Sequence, residues 1–247
     1  MIRESKKILI TGSNGFIGSN FSDYLKEYSG YKIYGFNRNN DLSELPNLVK
    51  KVDLILHLAG VNRPKNIEDF KTNNVELTTK ICSILKNHPN KRLIYFSSIQ
   101  ALQDNNYGRS KKEGEEICLN LAKYSGNNVN ILRLPGVFGK NCKPNYNSVV
   151  ATFCYNLTNN IELNIVDKEK EISLVYVRDI CNQLINLIQN PNNMNFINVD
   201  SIFRIKIIQL AKIIKSFKNG NIDSLNEYEK KLFMTYLTYK NKKNRKI

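Results

Sequence analysis

Short apolar runs alternate with amphipathic stretches from Lys6 to Leu134. Lys6–Thr11, Tyr31–Phe36, Val52–Leu58, Arg92–Phe96 and Val129–Leu134 are brief, apolar and rich in β-branched or aromatic residues, so they read as strands. Phe16–Tyr28, Asn66–Asn87 and Tyr107–Tyr124 place apolar residues at helical spacing. In the second of these, Val75, Leu77, Ile81, Ile84 and Leu85 form the apolar side. Asp41–Lys51 predicts a short helix interrupted by Pro46. Strands and helices in this alternation predict an α/β fold of Rossmann type, a doubly wound, mostly parallel sheet.

Beyond Gly139 the rhythm loosens. A polar loop, Lys140–Asn147, precedes a helix over Ser148–Leu157; Ile161–Val166 and Glu171–Tyr176 read as short strands and Arg178–Gln189 as a helix. A short strand at Phe196–Val199 leads to helices over Ile205–Phe217 and Ser224–Leu237. The expected organisation is a nucleotide-binding domain over residues 1–139 and a small substrate-binding lobe over residues 140–247, partly interleaved with the core.

Composition narrows the class. A chain of 247 residues, 41% hydrophobic and 24% charged, can bury a substantial core. It has no apolar run long enough for a transmembrane helix, and its first residues lead straight into a strand without a leader's apolar region. Five scattered cysteines (Cys82, Cys118, Cys142, Cys154, Cys181) without a C-x-x-C pair point to reduced thiols and a cytoplasmic setting, with no metal site expected. The net charge of +15 has two readings, a polyanionic partner or a lysine-rich coding bias. Scattered lysines and the lack of a nucleic-acid motif favour the second, and an anionic small substrate fits as well. Only Lys240, Lys242, Lys243, Arg245 and Lys246 cluster, in an end expected to be disordered.

Candidate chemistry collects at the carboxyl ends of the expected strands, where ligands bind in such sheets. Gly12-Ser13-Asn14-Gly15-Phe16-Ile17-Gly18 joins a strand to a helix. Gly12 would allow the tight turn, Gly15 a close approach of backbone N–H groups to a pyrophosphate, and Gly18 tight packing of helix on strand. Asn14, Phe16 and Ile17 belong to the same cofactor loop, and Leu58, Ala59 and Gly60 end the third strand. The second strand ends in Asn37-Arg38-Asn39; an acid there would hold the 2′-hydroxyl of NAD, whereas Arg38 suits the 2′-phosphate of NADPH. His57 reads as a packed core residue. Ser98 ends the fourth strand, and Tyr107 and Lys111 lie one turn apart on the next helix. A serine, a tyrosine and a lysine facing one point can hold a carbonyl oxygen and protonate it. Lys111's charge would lower the phenol's pKa, and Ser98 would stabilise developing negative charge.

These motifs in this order resemble the extended short-chain dehydrogenase/reductases, also called the NAD-dependent epimerase/dehydratase family. The likeness is carried by the glycine trio, Asp53-x-x-x-His57-Leu58-Ala59-Gly60, Asn74-Val75, Ser98, Tyr107-x-x-x-Lys111 and Arg133-Leu134-Pro135-Gly136-Val137-Phe138-Gly139. Within that family, Val61-Asn62-Arg63-Pro64, Ser98–Ala101, Asp104–Gly108 and Cys142–Tyr155 are similar to the reductase domains of bifunctional capsular polysaccharide enzymes that make UDP-N-acetyl-L-fucosamine. The resemblance implies reduction of the 4-keto group of a UDP-2-acetamido-2,6-dideoxy-hexulose to the L-talose sugar, with NADPH in preference to NADH. It implies catalysis by Ser98, Tyr107 and Lys111, a hold of Lys111 on the nicotinamide ribose, and water ordering by Asn74 beside the cofactor. Ser98 and Tyr107 would touch substrate, and Lys143, Asn147 and Arg178 are candidates for the UDP phosphates or uracil. Expected partners are the UDP-sugar, a second copy of the chain and a separate cupin epimerase, with neither nucleic acid nor membrane.

The sequence departs from the family at Gly136, where an Asn is usual, and at the short link from Ser98 to Tyr107. It also stops at Ile247, where the cupin domain of those enzymes would begin. Two other functions remain open, an NAD-dependent nucleotide-sugar 4-epimerase and a non-catalytic nucleotide-binding remnant. A 4,6-dehydratase would carry an acidic pair where Ile99 and Gln100 stand.

Overall fold

A computed structural model describes residues 5–219 and 224–244. Arg245 and Lys246 of the basic cluster lie outside them. Strands β1 (Lys6–Thr11), β2 (Tyr31–Phe36), β3 (Leu54–His57), β4 (Arg92–Ser98), β5 (Val129–Leu134) and β8 (Phe196–Ile197) form a six-stranded sheet in the order β2-β1-β3-β4-β5-β8, every pairing parallel. Chain order reverses between β1 and β3, so the topological switch point lies at the ends of those two strands.

The helices in sequence are α1 (Phe16–Leu25), α2 (Leu45–Lys51), α3 (Glu68–Phe70), α4 (Leu77–Leu85), α5 (Asn106–Ser125), α6 (Val149–Thr158), α7 (Val177–Gln189), α8 (Ile207–Ser216) and α9 (Glu227–Asn244). A π-helical stretch, Lys71–Glu76, joins α3 to α4. The remaining strands are β6 (Gly136–Phe138), β7 (Glu171–Tyr176) and β9 (Phe203–Lys206). The chain divides into two compact units, Met1–Leu134 with Cys181–Val199, and Pro135–Ile180 with Asp200–Ile247.

In the first unit, Leu9, Ile55, Leu93, Tyr95 and Ile131 point from the sheet into one cluster with Leu45 and Val49 of α2, Ile81 and Leu85 of α4, and Cys118 and Leu121 of α5. Each large aliphatic side chain buried this fully contributes about 1.5–3 kcal/mol. β3 is buried at every position, which is why it reads as a continuous apolar run without alternation. α5 starts on Asn105, whose side chain accepts the N–H of Gly108 at 2.8 Å, and ends at Gly126 in the left-handed region (φ 69°). Its inward stripe runs Gly108, Lys111, Glu115, Cys118, so two charged side chains are carried into the interior.

The second unit holds a three-stranded sheet, β6-β7-β9, with β6 parallel and β9 antiparallel to β7. Several expectations change here. Ile161–Val166 is not a strand: the Ile161 N–H turns back to the Asn156 carbonyl at 2.8 Å, ending α6, and Val166 is 93% exposed. The segment expected to open the helix at Ile205 instead pairs with β7 as β9, and α8 begins only at Ile207. Gly136–Phe138 forms strand β6, paired parallel with β7. In the first unit, Pro46 sits in the first turn of α2, where its missing donor costs nothing, and does not interrupt the helix. No helix among the described residues is long and apolar enough to cross a membrane.

Candidate active site

The glycine turn is as tight as its sequence suggests. Gly12 has φ +71°, and a Cβ there would lie 2.8 Å from the Ala59 nitrogen, so only glycine lets β1 and β3 end side by side. A Cβ on Gly18 would stand 2.4 Å from the Gly12 carbonyl oxygen, which requires bare backbone where α1 crosses the turn. Gly15 acts differently from expectation: its own N–H closes the turn onto the Gly12 carbonyl at 2.9 Å. The first-turn N–H groups of Phe16, Ile17 and Gly18 have no upstream carbonyl within the helix, so they stand free to meet an anion at the start of α1. Asn14 is exposed on the turn, and Leu58 and Ala59 are half-buried across from it.

Beneath this turn runs a directed hydrogen-bond chain. The Ala59 N–H donates to Thr11 Oγ1 (3.3 Å), which donates to His57 Nδ1 (2.7 Å). His57 Nε2 donates to Thr78 Oγ1 (2.9 Å), which donates to the Asn74 carbonyl (2.6 Å). The order fixes the tautomer of a histidine with no exposed surface. Burial first, then the nearby Lys111 charge, pulls its pKa down to about 3. His57 is therefore a neutral core residue that ties the end of β3 to α4.

A pH dependence of stability follows. Unfolded His57 titrates near 6.5, so its stabilisation is full above that pH and is lost as pH falls toward about 3. The loss should amount to roughly 4–5 kcal/mol. Denaturant unfolding at stepped pH is the check, and His57→Gln should flatten the slope over that window.

Asn74 is 1% exposed within the π-helical stretch. Its amide donates to the Val61 carbonyl (2.9 Å) and to Ser110 Oγ (2.9 Å), and its Oδ1 accepts the Val61 N–H (2.7 Å). Both donors are thus spent on protein, which leaves one Oδ1 lone pair beside Gly60. Asn74 fastens the loop after β3 to α5, a structural use that the expected water-ordering role did not include. Ser110 continues the link by donating to the Tyr107 carbonyl at 2.8 Å.

Ser98, 8% exposed, ends β4 and caps the short 3-10 turn Ile99–Leu102 by accepting the Gln100 N–H at 3.2 Å. Its own proton is then free to point toward the neighbouring Tyr107 phenol, whose pKa the Ser98 hydroxyl draws down. The Tyr107 ring also leans on Phe70 of α3, centroids 6.0 Å apart. Burial raises the Tyr107 pKa above its ordinary value and the Ser98 hydroxyl pulls it partly back. That departs from the expected lowering by Lys111. The Lys111 ammonium sits 4.4 Å over the Tyr95 ring, in a residue 5% exposed, with no hydrogen-bond acceptor among the described residues. Burial brings its pKa down to about 8, against the raising influence of the Glu115 carboxylate. Nζ would lie 3.9 Å from a Cβ built on Gly60, so Lys111 reaches the loop after β3.

Arg38 is exposed at a turn after β2 that is closed by Asn40 Oδ1 accepting the Asn37 N–H at 3.0 Å. The other candidates lie in the second unit. Lys143 is exposed with Nζ 5.5 Å from the Tyr146 ring centroid, Asn147 is exposed just before the Ser148 cap of α6, and Arg178 is exposed in the first turn of α7. Gly136 permits close pairing of β6 with β7, since a Cβ would stand 3.0 Å from Leu174 Cδ2 and 3.2 Å from the Ser173 carbonyl.

Sequence reasoning missed the groups behind the site. Glu115 takes Arg133 in a two-point ion pair (Nε–Oε1 2.9 Å, Nη2–Oε2 2.6 Å) and accepts the Ser97 hydroxyl. Gly114 makes room for Tyr95, whose hydroxyl would lie 2.2 Å from a Cβ there. Glu115 could have been found from the helical stripe it shares with Lys111, and Arg133 from the motif it opens; Tyr95 carries no local signal.

A parallel sheet with a glycine turn at its switch point and serine, tyrosine and lysine at neighbouring strand and helix ends defines an extended short-chain dehydrogenase/reductase. The chain belongs to the NAD dependent epimerase/dehydratase family, whose pattern matches residues 8–199. It is 41% identical over 216 residues to the UDP-2-acetamido-2,6-beta-L-arabino-hexul-4-ose reductase of Pseudomonas aeruginosa, covering 87% of this chain and 58% of the relative. The crystal structure of the capsular polysaccharide assembling protein CapF from Staphylococcus aureus superposes with a TM-score of 0.83 at 38% identity, over 94% of this chain and 65% of that one. This chain thus spans less than two thirds of either relative. The NAD complex of the Bacillus cereus UDP-glucuronic acid 4-epimerase shares the fold at 18% identity, with a TM-score of 0.84 over 95% of this chain and 99% of that one.

Proposed function

We propose that this chain reduces the 4-keto group of a UDP-2-acetamido-2,6-dideoxy-hexulose with NADPH, giving the L-talose sugar. The observation that carries the reading is the ammonium of Lys111, a residue 5% exposed and without a hydrogen-bond acceptor among the described residues, one turn from a tyrosine that meets Ser98. A buried cation of this kind calls for hydrogen-bonding oxygens from a ligand. The ribose of a dinucleotide would supply them, and the first-turn N–H groups of α1 would hold its pyrophosphate. The likeness to a UDP-hexulose reductase supports the substrate class.

Bound nicotinamide supplies the hydride. Tyr107 donates its phenolic proton to the carbonyl oxygen as carbon 4 is reduced. Ser98, whose oxygen already accepts the Gln100 N–H, directs its hydroxyl proton to the same oxygen and shares its developing charge. The Lys111 ammonium stabilises the phenolate that remains on Tyr107 after proton transfer. Lys143, Asn147 and Arg178 are the groups of the second unit proposed to hold the UDP moiety.

Turnover tests the reading. Purified protein should consume the nicotinamide absorbance of NADPH when given a UDP-4-keto-6-deoxy-N-acetylhexosamine, and no oxidation with either dinucleotide would overturn it. Arg38→Asp should reverse the preference between NADPH and NADH by at least about tenfold, because it replaces a cation facing the 2′-phosphate with an acid suited to the 2′-hydroxyl. Titration of both dinucleotides against wild type and variant is the measurement.

A further inference from the structure

Most titratable groups around Lys111 cannot balance its charge. From β3, His57 is held neutral by burial. From β4, Tyr95 offers a ring face and a phenol pushed well above its usual range by burial. On α5 itself, burial raises the Tyr107 phenol and drives the Cys118 thiol well up, the latter reinforced by a hydrogen bond to Cys82 of α4. From the π-helical stretch comes only the Asn74 amide. Each of these groups is uncharged near neutrality. The remaining neighbours are a carboxylate, Glu115, and Arg133 of β5 on its far side.

The placement of Glu115 is specific. It lies one turn beyond Lys111 on the buried stripe of α5, is 2% exposed, and is held by Arg133 at both oxygens and by Ser97, the residue before Ser98. Arg133 in turn stacks on Phe196 of β8, its guanidinium carbon 4.6 Å from the ring centroid. The carboxylate is therefore immobile, out of water, and joined to the strand that ends in Ser98.

We propose that Glu115 is a positioning residue for the reaction: a fixed buried anion that keeps Lys111 an ammonium and ties its helix to the strand bearing Ser98. The inference rests on the reading of Lys111 given above, and its test does not depend on turnover. Burial already favours the neutral amine. Loss of the anion should carry Lys111 further down, and loss of the Arg133 cation should let Glu115 act more strongly and carry it up.

The experiment is carbon-13 NMR of the full chain with labelled lysine side-chain carbons, the Lys111 signal assigned by its loss in Lys111→Arg. The expected result is a titration midpoint lowered by about 1 pH unit in Glu115→Gln, raised in Arg133→Gln, and close to wild type in Glu115→Asp. Opposite shifts from the two partners of one ion pair are what an electrostatic role predicts; a purely structural clamp would move both the same way or neither. An unmoved midpoint in folded Glu115→Gln would overturn the proposal. If that variant fails to fold, a midpoint in Arg133→Gln that is unmoved or lowered overturns it as well. Absence of NADPH oxidation by wild type would count against the proposed reaction and leave the midpoints as they are.

Discussion

Tyr107→Phe should reduce the rate of carbonyl reduction by about 10²–10⁴-fold, the range that a positioned proton donor supplies. The substitution removes one oxygen. The ring keeps its contact with Phe70, and α5 keeps its Asn105 cap. Dinucleotide affinity and melting temperature should therefore stay near wild type, since the first-turn N–H groups of α1 and the Lys111 ammonium are untouched. Single-turnover measurement at saturating cofactor separates the chemical step from binding. A rate within threefold or so of wild type would assign the proton donation to another group.

Gly108→Ala should be damaging although it adds a single methyl group. A Cβ at this position would lie 2.2 Å from the Gln100 carbonyl oxygen and 2.6 Å from that of Gln103. Both are backbone atoms in and just after the 3-10 turn capped by Ser98, so neither can swing aside as a side chain would. Relief requires α5 to lift away from the turn, which separates Tyr107 from Ser98. Overpacking of this kind costs about 1–3 kcal/mol. A displacement near 1 Å lowers a rate by about 10²-fold. Thermal unfolding and turnover should fall together in this variant, whereas Glu113→Ala on the exposed side of the same helix should stay within about 0.5 kcal/mol. Wild-type turnover in Gly108→Ala would mean that the close approach of α5 to the turn is not needed for catalysis.

This contact also explains the short link from Ser98 to Tyr107. Ser98 caps the turn, Asn105 caps the helix, and Gly108 lets the two stack on bare backbone. The sequence alone marks the link as short. Why it can be short depends on a glycine whose neighbours are two carbonyl oxygens, and that appears only once the chain is folded.

Local pattern is sufficient for β1, β2, β5 and β7, whose observed bounds coincide with the apolar runs that predict them. The same reasoning fails at Ile161–Val166 and Ile205. An apolar run becomes a strand only where another strand offers it a ladder. Ile161 spends its N–H on ending α6, whereas Ile205 finds the free edge of β7. Hydrophobic periodicity records which residues seek burial and says nothing of which edge is vacant.

The candidate site divides along the same line. Glycines at a strand-to-helix turn, and a tyrosine and a lysine one helical turn apart, are arrangements of neighbours in the chain. Short-range backbone geometry sets their relation before any tertiary contact forms. Charge states and restraints are set by residues distant in sequence: Tyr95 beneath Lys111, Arg133 and Ser97 around Glu115, Val61 and Ser110 at either side of the Asn74 amide. Sequence reasoning had Lys111 lowering the Tyr107 pKa because it could count charges but not their burial. In the folded chain burial is the largest influence on each and moves both groups toward their neutral forms. Which residues are candidates for the chemistry was thus written in local spacing. The protonation states in which they stand waited on the fold, because desolvation and buried partners exist only after distant segments have packed.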